Sequence, residues 1–434
     1  MSPSQRFCFA VLILVVAMLA CANQVTPASI PPTTAIAATT AAPANISSVQ
    51  SVVPAIRGTS SATLAPEPTT TINTSELKSG MDTLMTSFMQ KNLIGACSIA
   101  VVYPDAVDVK LNTLLFNYGT ISKDSKTPVD SSTEYEIGSV TKLFTADLLA
   151  WDVQNGKMQL DDPVQKYLPS TVNIPTFNGQ AITLRQLATH TSGLPKNPEG
   201  GEGTLRVSRV DGVLTEGYYT DDDVFNFLDT YKLTRAPGSE YEYSNLGFSL
   251  LGIAEEQDGN ASYEDLVAKE LTEVLGMQDT RVALLPEQRI NLAQGYYASS
   301  NKQAVPYAQS GGYLGGGGLR STIQDMAIYL AANIEPDQTK LAAVLQMAQQ
   351  KQSDQGLSSN AAMGLGWQIV NPGTAREQLT KDGSTAGFNS YITFSRIHRT
   401  GFVMLCNSIN VTTELVPQIY KLLHEGETPV NSSE

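Results

Sequence analysis

A chain of 434 residues with 42% apolar content is long enough to bury a sizeable core. Its formal net charge of -14 argues against nucleic acid as a partner, and a dispersed acidic surface of this kind keeps a protein soluble. The only histidines, His190, His398 and His424, show no metal-ligand spacing, so neither a metal nor another cofactor is expected.

The chain opens on a targeting pattern. Arg6 precedes the apolar run Cys8 to Ala20, too short for a comfortable membrane span, and residues 1–20 read as a signal peptide. Two cleavage readings overlap there. Met18-Leu19-Ala20-Cys21 resembles a bacterial lipoprotein box, which would leave Cys21 acylated as a lipid anchor to the membrane; Ala20-Cys21-Ala22 would serve ordinary secretion. Lipidation is preferred because residues 21–74, rich in Thr, Ala, Pro and Ser and almost uncharged, read as a disordered tether. The expected product is exported: on the outer face of the cytoplasmic membrane or in the periplasm if lipidated, secreted otherwise.

The folded region is expected over 75–426. A helical pattern near Ser75 to Lys91 leads into strand-like runs near Cys97 to Tyr103 and Thr113 to Tyr118. Val140, Leu143, Phe144, Leu148 and Leu149 recur in steps of three and four and predict an amphipathic helix ending near Gly156. Between about Gln159 and Gly317 helical patterns dominate: Ile182 to Ala188, Asp221 to Leu228, Leu246 to Glu256, and Tyr263 to Val274. Gly315 to Gly318 lacks the Gly-Lys-Ser/Thr of a phosphate loop and reads as a tight backbone passage. A helix over Ser321 to Ala332 follows, opened by a capping box from Ser321 to Gln324. Strands around Ser390 to Phe394 and Phe402 to Cys406 and a helix near Thr412 to His424 complete the pattern. The fold class is therefore α/β (α+β): an antiparallel sheet flanked by helices, built from 75–158 plus 318–426, with an all-helical lobe, 159–317, inserted. A site is expected between the two lobes.

Three short motifs carry chemistry: Ser139-Val140-Thr141-Lys142, Tyr243-Ser244-Asn245 and Lys381-Asp382-Gly383. Singly they are weak, since Ser-x-x-Lys recurs at Ser75/Lys78 and Ser299/Lys302, and Lys-x-Gly at Lys78/Gly80. Only Ser139 opens a predicted helix. Residues three apart share a helix face, so the Lys142 amine can reach the Ser139 hydroxyl, and a first-turn serine feels the positive end of the helix dipole. A serine hydroxyl needs a base. Lys142 can serve if desolvation or a nearby cation keeps it neutral, and Tyr243 can serve if lysines draw it toward phenolate. Lys381 and Gly383 complete the site, with the Ser139 and Ser384 amides as oxyanion donors, each typically worth ~10² to 10³ in rate.

Each residue also has a plain structural role open to it. Ser139 could cap its helix, Asn245 could cap the next one, and Lys381-Asp382-Gly383 could be a turn between strands. His190, in Thr-His-Thr-Ser-Gly, reads as a structural hydrogen-bonding residue, and the absence of Gly-x-Ser-x-Gly counts against a Ser-His-Asp hydrolase.

In their order and context the three motifs resemble those of the class C β-lactamase and penicillin-binding-protein-like serine hydrolases. The resemblance runs roughly from Ser75 to His424 and includes Leu160-Asp161-Asp162-Pro163, His190-Thr191-Ser192-Gly193-Leu194-Pro195, Gly318-Leu319-Arg320-Ser321-Thr322 and Gly364-Leu365-Gly366-Trp367. It implies a β-lactamase/transpeptidase-like fold and a Ser139 acyl-enzyme, with Lys142 and Tyr243 as catalytic proton carriers and Asn245, Lys381, Gly383 and Ser384 binding substrate. D-Ala-D-Ala-type peptides rank first as substrates, then β-lactams, then small esters or D-amino-acid amides. A catalytically silent sensor domain is the rival from another class. No signal for oligomeric state is present.

One departure matters. The family's usual Lys-Thr-Gly has Asp382 in the middle here, and a carboxylate facing the pocket would weaken attraction for a substrate carboxylate; strand alternation equally allows it to point away. Because the family's first and last strands are neighbours, a Cys97 to Cys406 bridge is possible, with two buried thiols as the alternative.

Overall fold

The computed structural model describes residues 72–423 apart from 93–94, 106–109, 199–205, 211–212, 218, 297–306, 310–312 and 409–410. The signal peptide, Cys21 and nearly all of the tether lie outside the described residues, as does the decoy pair Ser299/Lys302.

The chain forms β1 (Ala96–Pro104), β2 (Leu111–Gly119) and β3 (Glu134–Glu136), then β4 (Arg206–Val210), β5 (Val213–Gly217) and β6 (Tyr307–Gln309). It continues with β7 (Arg320–Thr322), β8 (Ala361–Met363), β9 (Gln368–Val370), β10 (Gln378–Ser384), β11 (Asn389–Ser395) and β12 (Thr400–Cys406). Seven of these make one antiparallel sheet in the order β2-β1-β12-β11-β10-β9-β8. Five helices matter for the site and its support: α1 (Thr74–Asn92), α2 (Thr141–Gln154), α3 (Asn245–Gly259), α4 (Ile323–Ile334) and α5 (Thr412–Leu423).

β1 and β12 are buried at every position, which only a sheet covered on both faces allows. Alternation divides their side chains. Ile99, Val101, Phe402 and Met404 meet Met81, Met85 and Phe88 of α1 and Leu415 and Ile419 of α5; Ala100, Val102, Val403 and Leu405 meet the larger core that holds α2 and α4. Each such large apolar side chain contributes about 1.5–3 kcal/mol on burial. The register sets Cys97 directly opposite Cys406 on the α1/α5 face, where they form a disulfide; the bridge, not the thiol pair, is present.

Three local expectations change. α2 is buried on every side from Thr141 to Ala150, so its apolar steps belong to a central helix rather than an amphipathic one. α4 is capped by Thr322, whose side chain accepts from the Asp325 N–H; Ser321 lies in β7 instead. The Asp325 carboxylate is taken by the Asp279 N–H and the Thr280 hydroxyl, each at 2.8 Å, which ties this helix to the insert. The insert itself is mostly helical but also carries a three-stranded sheet, β4-β5-β6, with β6 parallel to β5. The β-branched Val207, Val210, Val213 and Thr215 favour strand there, over windows too short to show against the surrounding helical patterns.

Candidate active site

Gly138 begins a single 3-10 turn, Gly138–Val140, that delivers Ser139 to the first turn of α2. Its φ of +48° lies in the left-handed region that favours glycine, and a Cβ there would sit 2.8 Å from the Ser384 nitrogen, too close for any side chain. Gly383 makes the reciprocal approach: a Cβ would collide with the Ile137 carbonyl and the Ser390 hydroxyl and lie 3.1 Å from the Ser139 nitrogen. Two glycines thus let β10 lie against the backbone that carries Ser139, bringing the Ser139 and Ser384 amides to one place.

Lys142, the second residue of α2 and one turn on from Ser139, is fully buried. Its Nζ donates to Ser139 Oγ at 3.0 Å, to Asn245 Oδ1 at 2.8 Å and to the Gly316 carbonyl at 2.5 Å. Tyr243 donates from its hydroxyl to Ser139 Oγ at 2.6 Å. Lys381 Nζ lies 5.4 Å from the centroid of the Tyr243 ring, and Lys142 Nζ 5.1 Å from it. Ser139, Lys142, Tyr243, Asn245, Lys381, Gly383 and Ser384 therefore converge, from three distant stretches of chain.

The plain structural roles fail one by one. Ser139 makes no side-chain cap bond to α2. α3 is capped by Ser244, which accepts from the Gly247 N–H at 2.8 Å, so Asn245 is left to hold Lys142. Lys381, Asp382 and Gly383 lie within β10 rather than in a turn.

Electrostatics follow from burial and the two amines. Burial pushes the Lys142 amine below its usual range, with the Lys381 charge adding to it and Tyr243 opposing. Burial would raise the Tyr243 phenol, but Lys142 and Lys381 outweigh it and draw the phenol below 10. Burial would lower Lys381 too; the nearby Tyr243 and Asp382 reverse that and raise it.

Asp382 lies between the two positions expected of it. Its side chain is 71% exposed at the rim, yet Oδ1 turns back to Lys381 Nζ at 3.1 Å, and Lys381 also donates to the Asp382 carbonyl at 2.6 Å. The Lys381 charge holds its carboxyl below the usual range.

Sequence reasoning missed two supports. Asn197 accepts from Asn245 Nδ2 at 3.0 Å, and the Gly316 carbonyl completes the Lys142 shell; neither carries a motif that could have marked it. His190 is structural, as read, but closer to the chemistry than expected: its Nδ1 accepts from the Ser244 N–H at 3.1 Å, and its ring packs 4.4 Å from that of Tyr243. Burial, then the Lys142 and Lys381 charges, keep it neutral. Among the described residues no cluster of His, Cys, Asp and Glu could hold a metal, and no helix is long and apolar enough to cross a membrane.

A family model described as Beta-lactamase matches residues 81–419. A D-alanyl-D-alanine-carboxypeptidase/endopeptidase AmpH of Escherichia coli K12 is 31% identical over 69% of this chain and 76% of its own length. A β-lactamase of Pseudomonas fluorescens is 27% identical over 80% and 98%. Among solved structures, a class C β-lactamase superposes with a TM-score of 0.67 at 25% identity, covering 83% of this chain and 99% of that one.

Proposed function

Because the chain belongs to the β-lactamase family and is a serine hydrolase, we propose that it works through an acyl-enzyme on Ser139, with D-Ala-D-Ala-type peptides or β-lactams as acyl donors. The observation that carries the reading is the pair of contacts on Ser139 Oγ, Tyr243 at 2.6 Å and Lys142 at 3.0 Å. Similarity to a carboxypeptidase/endopeptidase and to β-lactamases supports the substrate class.

The Lys142 shell limits the proton chemistry. Asn245 Oδ1 and the Gly316 carbonyl are acceptors and claim two N–H bonds. A neutral amine then turns its lone pair on the Ser139 hydroxyl and acts as base; a charged one donates there and leaves the proton to a Tyr243 phenolate. In either state the Ser139 proton moves to a base as the Oγ–carbon bond forms and the carbonyl electrons pass to oxygen. The Ser139 and Ser384 N–H groups hold that oxyanion, and collapse breaks the bond to the leaving group, which takes the proton from Tyr243 or Lys142. Water then releases the acyl group. Asn245 positions Lys142, while Lys381 and the β10 backbone through Gly383 position substrate.

The reading includes export: a leader over 1–20, a tether over 21–74 and a lipid on Cys21, ahead of a folded region over 75–426. The Cys97–Cys406 disulfide supports an oxidising compartment. A fluorescent penicillin tests the chemistry. Covalent label on the Ser139 peptide, absent in Ser139→Ala, is expected; label elsewhere, or penicillin and ester turnover undiminished in that variant, overturns the reading.

A further inference from the structure

The two amines of the cleft differ in their partners. Lys142 donates to neutral groups, whereas Lys381 faces the carboxylate of the next residue in the chain. The Lys381 side chain is 6% exposed and that of Asp382 71%, so the carboxylate stands between the buried ammonium and solvent.

The same stretch of β10 has an open edge. β9 pairs with Gln378, Leu379 and Thr380 only, while β11 pairs along the opposite edge from Leu379 to Ser384. Past Thr380 no strand among the described residues pairs with the β9 side of β10, which leaves that side for an extended substrate to lie along. The direction of such a substrate follows from the catalytic groups. Its reacting carbonyl must meet Ser139 Oγ with its oxygen near the Ser384 amide, at the far end of the edge. Its leaving group must be within reach of the Tyr243 hydroxyl, and the Tyr243 ring lies beside Lys381. The part of the substrate that departs therefore sits against Lys381 and Asp382.

We propose that Asp382 is a specificity-determining residue for the charge of the leaving group: by holding the Lys381 ammonium it disfavours acyl donors with a carboxylate next to the scissile nitrogen and favours uncharged ones. This rests on the acyl-enzyme reading above and narrows its substrate class, since D-Ala-D-Ala peptides and β-lactams in their free-acid forms carry that carboxylate. A substrate carboxylate gains the full attraction of Lys381 only by displacing Asp382, and otherwise stands beside a like charge. Because the rim is partly wet, the discrimination is of the order of tenfold and shrinks as salt is added.

The test uses the full chain, benzylpenicillin and its uncharged methyl ester, with the rate of Ser139 acylation read by intact mass. Wild type should acylate at least tenfold faster with the ester once the intrinsic reactivity of the two compounds toward hydroxide is divided out. Asp382→Asn and Asp382→Thr should each shrink that ratio about tenfold, chiefly by speeding the free acid, and high salt should shrink it in wild type but not in the variants. A ratio unchanged in both variants overturns the proposal. So does an equal slowing of both compounds, which would make Asp382 only a support for Lys381. If neither compound acylates Ser139 in any form of the protein, the acyl-enzyme reading itself has failed and the charge preference falls with it.

Discussion

Tyr243 and Ser139, 104 residues apart in the chain, share a hydrogen bond of 2.6 Å in which the phenol donates to the serine oxygen. The geometry already has the form of a proton carrier beside a nucleophile. Tyr243→Phe and Lys142→Met should each lower the acylation rate by about 10² to 10⁴ while leaving far-ultraviolet circular dichroism unchanged. A loss below threefold in both would mean that neither group moves the proton.

The charges around Tyr243 set a pH dependence. Its hydroxyl faces Ser139 and Lys142, its ring faces Lys381 and neutral His190, and Asp382 and Tyr241 lie further round the same amines. The two lysines draw the phenol below 10, and Tyr243 can take a proton only in its deprotonated form. Acylation should therefore rise with pH and level off once the phenol is ionised, with the rise centred below the ordinary phenol value. Tyr243→Phe should remove or displace that rise, as single-turnover rates across pH 5 to 10 would record.

Gly383 lets β10 pass close to the backbone that carries Ser139. A methyl group there meets the Ile137 carbonyl and the Ser390 hydroxyl, forcing β10 away from Ser139 and opening the amide pair. Gly383→Ala should cost about 10² or more in acylation, since one misplaced oxyanion donor is worth that much. Unfolding by urea should shift as well, because the clash is with backbone, so the acylation loss is read on protein that circular dichroism shows to be folded. A large stability loss with acylation intact would count against the oxyanion assignment.

Glu134 is almost wholly buried, its carboxylate oxygens have no hydrogen-bond partner among the described residues, and burial, with Asp279 and Asp325 adding, pushes it up to about 9. A carboxyl whose folded value is raised stabilises the fold while protonated. That contribution is complete below the unfolded value near 4.5 and is lost as pH climbs toward 9. Glu134→Gln, which stays uncharged, should raise stability at pH 8 by about 1–3 kcal/mol and do little at pH 4.5. Thermal melts at the two pH values give the comparison.

The Cys97–Cys406 bridge joins strands 309 residues apart in sequence. Cys97→Ala with Cys406→Ala should cost about 2–5 kcal/mol. Reductant should lower the melting point of wild type toward that of the variant and leave the variant unmoved.

Long, strongly patterned features were legible in the sequence. The apolar runs of β1 and β12, the helices α1 and α3, and the alternation of strand and helix suffice for an antiparallel sheet with an insert. Boundaries and caps were less so. Ser321 and Thr322 are adjacent and both suit a cap, and which of them caps α4 depends on Ser321 pairing with Tyr135 across β3 and β7, a contact 186 positions away by number. The short strands β4 to β6 are held together across the insert, which a local window does not register.

The sequence by itself determined the chemistry available: a hydroxyl, two amines, a phenol and an amide, in an order and context that chance does not explain. It did so because a helix places residues three apart on one face, a relation fixed by local geometry alone. Only the tertiary structure decided what these groups do to one another. Burial and mutual distance set the charge of Lys142 and Tyr243, and the turn of one side chain sets Asp382 against Lys381; both depend on segments far apart in the chain meeting in a space with little water. Such energies belong to the fold rather than to any stretch of its sequence.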